Sequence, residues 1–324
     1  MSAATKRFLK DTGSRLPVVC GPMYPGSNPE LVAAVSEAGG FGVVQPIALS
    51  HLYKHDFRAG LKLIKSLTSK PFGVNITILP KTAASAKYVK MNDEFLDIAI
   101  EEGCKWILTS LGKPDDIVKI AHQTNVKVYH DVHNAKLALR AADAGVDGLN
   151  LLNNRMGGQT GQFGACEIMK AVREAGDLTI PMICAGGIAN KVGLDDMLAQ
   201  GYAGVQAGTR FLATHECIIT NAYKQAIVDA NEEDIVWTNK MAGTNSSVIL
   251  TDQVSEGGLR TNAFVSWLLQ SPFKGMTRLY LLNNALKKYD QAAFDENCQY
   301  WQAGKGVNEI KSIQSVAEVM KNFE

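Results

Sequence analysis

Short apolar, β-branched runs alternate along the chain with segments of helical period. The runs are Pro17–Gly21, Phe41–Gln45, Pro71–Ile76, Trp106–Thr109, Val126–His130, Gly148–Leu152, Pro181–Ala185 and Ala203–Ala207. Each is too short and too uniformly apolar for a surface strand, as expected of parallel strands covered on both faces. Between them, Leu31, Val32, Val35 and Ala38, or Leu137, Ala138, Ala141 and Ala142, mark one face of a helix. Eight strand–helix alternations predict an α/β fold, specifically a (β/α)8 TIM barrel.

A weak internal repeat supports this phase. Glu37–Phe41, Glu101–Lys105, Asp143–Asp147 and Ala199–Ala203 each place a glycine where a helix ends and the next strand begins. That position calls for a residue that accepts positive φ. The last two strands carry the strongest signal, Met182-Ile183-Cys184-Ala185-Gly186-Gly187-Ile188 and Gly204-Val205-Gln206-Ala207-Gly208-Thr209-Arg210-Phe211. Each apolar run ends in glycine and opens into a helix, which leaves backbone N–H groups unobstructed by a Cβ. Two such loops in series after strands seven and eight predict a phosphate site.

After Thr214 the alternation stops. The predicted organisation is a barrel over residues 1–214, a helical excursion over the barrel mouth at 215–300, and a C-terminal segment at 301–324 that returns to the barrel. The 324 residues suffice for one barrel of about 250 plus this addition. With 33 Lys and Arg against 32 Asp and Glu, the formal charge is +1. Such a balance makes a small molecule a better expected ligand than nucleic acid or an anionic membrane. Lys274, Arg278, Lys287 and Lys288 read as a solvated helix face. The six cysteines lack metal or disulfide spacing, so no metal site is expected. Residues 1–15 lack an apolar leader core and no stretch is apolar enough to span a bilayer, which predicts a cytoplasmic protein. A homodimer is compatible with everything in the chain.

Candidate chemistry lies where strands end. Cys20-Gly21-Pro22-Met23 bends sharply after the first strand, and Asn75 closes Phe72-Gly73-Val74-Asn75 with an amide able to donate and accept. His130 ends the fifth strand, a position that faces a barrel site but also suits a satisfied core histidine. His133 fits a loop or cap. After the sixth strand, Asn153-Asn154-Arg155-Met156-Gly157-Gly158-Gln159-Thr160-Gly161 allows close backbone approach to a flat or anionic ligand, with Arg155 as a nearby charge.

Taken together, these segments resemble the nitronate monooxygenase family, formerly the 2-nitropropane dioxygenases, FMN-dependent TIM barrels related to flavin-type enoyl reductases. The resemblance runs through Gly21-Pro22-Met23, Gly73-Val74-Asn75, Gly157-Gly158, Ala185-Gly186-Gly187-Ile188, Gln206–Phe211 and Tyr300–Gly306. In the last segment Lys305 stands where the family has glutamine. The resemblance implies FMN as cofactor, with Pro22, Met23, Asn75, His130, Ala185, Gln206 and Ala207 near the ring or ribityl chain. Gly157, Gly158, Gly186, Gly187, Gly208 and Thr209 are then expected at the ribityl-phosphate end.

One departure bears on catalysis. The family's G-G-H loop supplies its proposed base, and Gln159 occupies that third position here. Glutamine cannot take a proton near neutral pH. A nitronate is already an anion, so oxidation by O2 to a carbonyl compound and nitrite is the implied activity, with Gln159, His130 and Arg155 as the expected substrate-side residues. Alternatives are an NAD(P)H-dependent FMN reductase of a quinone or enoyl substrate, a flavin-binding protein without turnover, and a non-flavin barrel acting on a sugar phosphate.

Overall fold

The computed structural model describes residues 1–83, 85–240 and 243–324. Eight parallel strands close a barrel: β1 (Val18–Cys20), β2 (Phe41–Val44), β3 (Gly73–Ile78), β4 (Trp106–Leu111), β5 (Lys127–Val132), β6 (Gly148–Leu152), then β8 (Met182–Ala185) and β9 (Gly204–Ala207). Closure is direct, with Val19 of β1 opposite Gln206 of β9. The chain therefore has the predicted (β/α)8 barrel, with a helical connection after most strands. One glycine in each copy of the internal repeat, Gly39, Gly103, Gly145 and Gly201, has positive φ, from 79° at Gly103 to 92° at Gly39. A side chain there would strain each helix-to-strand corner.

Side-chain alternation sorts the barrel into two cores. Val19, Phe41, Val43, Trp106, Leu108, Tyr129 and Ile183 fill the interior. Their strand neighbours Val18, Val44, Val74, Ile107, Val128 and Val132 pack on the surrounding helices. An N-terminal helix, Ala3–Thr12, joins the interior core through fully buried Phe8. It is capped by Ser2, whose side chain accepts from the Thr5 N–H, and ends at left-handed Gly13. The Tyr129 hydroxyl donates to Asp11 of this helix at 3.0 Å.

The excursion after Thr214 contains the helices Asn221–Asp229, Ala263–Leu268 and Lys274–Phe294, and also a hairpin that the sequence reading passes over. Strands β10 (Ile235–Thr238) and β11 (Ser246–Ile249) pair antiparallel, and β11 captures β7 (Gly158–Gln159) from the loop after β6. Four-residue strands give too little alternation to be seen against a helical background. The C-terminal segment runs back along the barrel and ends in the helix Val316–Lys321, with Phe323 buried and Arg15 paired to Glu324.

Candidate active site

The C-terminal ends of the strands form a mouth with two chemically distinct sides. One side is backbone. Gly186 and Gly187 sit at φ 115° and 80°. A Cβ on Gly186 would lie 2.6 Å from the Met156 nitrogen, so only glycine fits this bend. Asn153, fully buried, shapes the loop by donating to the Gly186 carbonyl at 2.9 Å and accepting from the Arg155 N–H at 2.8 Å. The N–H groups of Gly187, Gly208 and Thr209 meet no acceptor among the described residues. Three unpaired donors on adjacent loops are the kind of groups that an anion satisfies, and this part of the rim is the candidate anion seat. The sulfur of Met23 lies 3.3 Å from where a Gly208 Cβ would be, so the β1 loop closes over the same seat.

The other side is polar side chains on the inner faces of β3 to β6. Thr77 and Ser110 are ladder partners, and Asp131 and Asn150 are partners on the next two strands. The Asn150 amide donates to Asp131 at 2.7 Å. Enclosure by the barrel wall pushes the Asp131 carboxyl up to about 7, against the opposing effect of that hydrogen bond. Asn150 Oδ1 and Gln206 Oε1 are buried acceptors without donors. Orphaned acceptors of this kind are costly unless a ligand satisfies them. Gln206 also lies over Gly21, whose absent Cβ would fall 2.8 Å from the Gln206 amide.

Several expected residues stand elsewhere. His130 shares the face of Val128 and Val132, so it points to the helix layer and not into the mouth. There the Thr109 hydroxyl donates to the Tyr129 carbonyl at 3.1 Å and its oxygen accepts from His130 Nδ1–H at 2.8 Å. Burial pushes the His130 imidazole down to about 4. The residue that faces the mouth is its neighbour Asp131, and strict alternation along β5 is the signal that would have found it. Arg155 is taken up by a bidentate pair with Glu232 at 2.7 Å and by the Lys305 carbonyl at 3.0 Å. Its Nε and Cβ would lie 2.8 and 2.9 Å from a Cβ on Gly187, so the side chain, with part of its guanidinium, packs against the second glycine of this loop.

Asn75 is buried and already engaged, donating to the Leu108 carbonyl at 3.0 Å and accepting from Gln45 at 3.1 Å. Gly157 is required by protein packing: a Cβ there would lie 2.7 Å from the Gly304 nitrogen. Gly158 and Gln159 form β7 against Ser247 and Ser246, with the Gln159 side chain exposed. Pro22 and Met23 lie half-buried in the β1 loop, while Ala185 and Ala207 end their strands at the anion seat. Among the described residues no cluster of His, Cys, Asp or Glu could hold a metal ion, and no helix is long and apolar enough to cross a membrane.

Comparison with known proteins bears on the family and the fold. A family model described as nitronate monooxygenase matches residues 6–323. A 5-hydroxy-7a-methyl-1-oxo-octahydro-1H-indene-4-carboxyl-CoA dehydrogenase of Rhodococcus jostii is 29% identical over 86% of this chain and 75% of its own length. A probable nitronate monooxygenase of Bacillus subtilis is 24% identical over 98% of this chain and 97% of its own. Among solved structures, FabK from Thermotoga maritima has a TM-score of 0.80 at 25% identity, covering 98% of this chain and 94% of that one. Nitroalkane oxidase from Streptomyces ansochromogenes shares the fold, with a TM-score of 0.75 at 22% identity over 97% and 96% of the two chains.

Proposed function

The chain belongs to the nitronate monooxygenase family of flavin-type oxidoreductases, and from that premise we propose that it binds FMN and oxidises small alkyl nitronates with O2 to a carbonyl compound and nitrite. The observation that carries the FMN assignment is the two-sided mouth. Unpaired N–H groups at Gly187, Gly208 and Thr209 share this end of the barrel with orphaned acceptors on Gln206 and Asn150. A mononucleotide with a phosphate at one end and a ring bearing an N–H at the other meets both needs. In this reading Gly186, Gly187, Gly208 and Thr209 hold the phosphate, and Met23 and Gln206 lie along the ring, with Pro22, Ala185 and Ala207 shaping its approach. Bound FMN supplies the electron acceptor that no side chain can provide.

The protein's own part is positioning. In this reading His130, on the outward face of β5, and Arg155, paired with Glu232, take no part in the chemistry of the substrate. Gln159, exposed on β7, orients by hydrogen bonding and does not remove a carbon-bound proton. With no base among His130, Arg155 and Gln159, a preformed anion is the substrate state this reading assigns, and the reading requires that the mouth-facing Asp131 takes no proton from carbon. Purified enzyme is expected to turn over ethyl nitronate well and neutral nitroethane slowly, measured as initial oxygen consumption. Equal rates on the two forms would show that another base is present in the site.

A second reading has a specific observation in its favour. Loss of the loop base matters less to a flavin reductase fed by NAD(P)H, and the Rhodococcus jostii relative is named a CoA-thioester dehydrogenase. Rapid anaerobic bleaching by NADPH, without bleaching by ethyl nitronate, would select it.

A further inference from the structure

We propose that Asp131 is a flavin-facing residue whose carboxyl exchanges a proton at the barrel rim and so makes the affinity for FMN depend on pH. The inference rests on the FMN reading above and adds a residue and a property to it.

Placement carries the argument. Alternation on β5 sends Tyr129 into the plugged lower interior and Asp131, two residues nearer the mouth, into the polar row of Thr77, Ser110 and Asn150. Among the inward-facing side chains of that upper row, Asp131 is the ionisable one. Its surroundings are unusual for a carboxylate. Its hydrogen-bond partner is the Asn150 amide on β6, and the same row continues through Ser110 of β4 and Thr77 of β3. None of these is charged. His130 on the same strand points to the opposite face. Burial and the Asn150 hydrogen bond are the influences that bear on the carboxyl, with no charge from another element among them. A partly buried carboxyl with no cation beside it is harder to ionise than one in water, and accessible surface remains on it for a proton to exchange.

The consequence for a flavin follows from donor–acceptor logic. A protonated Asp131 donates a hydrogen bond to a ring carbonyl or nitrogen, whereas the carboxylate can only accept and repels those same atoms. Asn150, whose Oδ1 lacks a donor, remains able to receive the ring N–H in either state. FMN affinity in the wild type is therefore expected to fall as pH rises through neutrality. In Asp131→Asn, which keeps a donor at all pH values, it should not.

The test is FMN binding to apoprotein from about pH 6 to about pH 8, followed by quenching of flavin fluorescence, with wild type and Asp131→Asn compared. Riboflavin is run in parallel, because the phosphate of FMN itself titrates near pH 6. The wild-type Kd for both ligands should rise about tenfold across this range relative to the variant, the effect of roughly one pKa unit of differential interaction. Parallel Kd profiles in wild type and variant would overturn this inference alone. Apoprotein that takes up no FMN at any pH would overturn the flavin reading and this inference with it. If Asp131→Asn does not fold, isotope-edited infrared spectra of wild-type apoprotein decide. A protonated-carboxyl band that disappears on raising the pH and shifts on adding FMN supports the assignment, and a band insensitive to FMN refutes it.

Discussion

His130 resists protonation in the folded chain because burial removes the water that would solvate an imidazolium. Its folded value of about 4 lies below the 6.5 of an unfolded histidine. The unfolded chain thus binds the extra proton between those values, and this contribution to stability is present above about pH 6.5 and lost as pH falls through about 4, on the order of 3 kcal/mol in full. Asp131 acts in the opposite sense in the apoprotein. Its folded value of about 7 exceeds the unfolded 3.8, so its contribution is present at low pH and lost as pH rises through about 7. The two offset each other in the wild type, and a substitution separates them. Apo His130→Gln, followed by urea unfolding, should gain on the wild type as pH falls from about 7 to about 4. A constant gap would show that His130 is solvated. Gln159 gives a kinetic test at the same scale: Gln159→His should raise turnover of neutral nitroethane more than that of its anion, because only the neutral form needs a base. Equal gains would place residue 159 away from the substrate.

The elements around the mouth are sewn together by backbone contacts that leave no room for a methyl group. Gly157 and Gly304 approach so closely that a Cβ on either would meet the other's backbone nitrogen at 2.7 Å. Backbone cannot rotate aside as a side chain can. Gly157→Ala should therefore cost about 1–3 kcal/mol in denaturant unfolding. It should also weaken flavin retention, since Gly304 donates to Thr209 at the anion seat. Unchanged stability would mean that the two strands of chain are further apart than described. Strand–helix alternation was legible in the sequence because each barrel element carries its own period and its own terminal glycine. The hairpin β10–β11 was not, because its strands are stabilised by pairing with β7 and with Gln302, contacts distant in sequence. The site was half legible for a related reason. Glycine loops declare backbone geometry locally, whereas Asp131 and His130 are told apart only by which way β5 faces, and that depends on the register of the whole barrel.

At the scale of the molecule, the helix Lys274–Phe294 is held to the barrel by few polar contacts. The Tyr24 hydroxyl and His51 both meet Asp290, and Tyr88 donates to Asn283 at 2.9 Å. Tyr24 follows Met23 in the β1 loop, so this tie joins the excursion to the wall of the candidate flavin site. Tyr24→Phe should raise amide hydrogen exchange in 274–294 while leaving the barrel strands protected. Unaltered exchange there would show that packing alone holds the helix down. The account as a whole turns on a flavin that gives up its oxidised state to a nitronate anion. Anaerobic mixing of the purified holoenzyme with ethyl nitronate, watched through the visible flavin absorbance, tests it most directly. We predict a yellow protein that bleaches within a turnover and bleaches more slowly with NADPH. A colourless protein that takes up no FMN, or a yellow one that only NADPH bleaches, would contradict it.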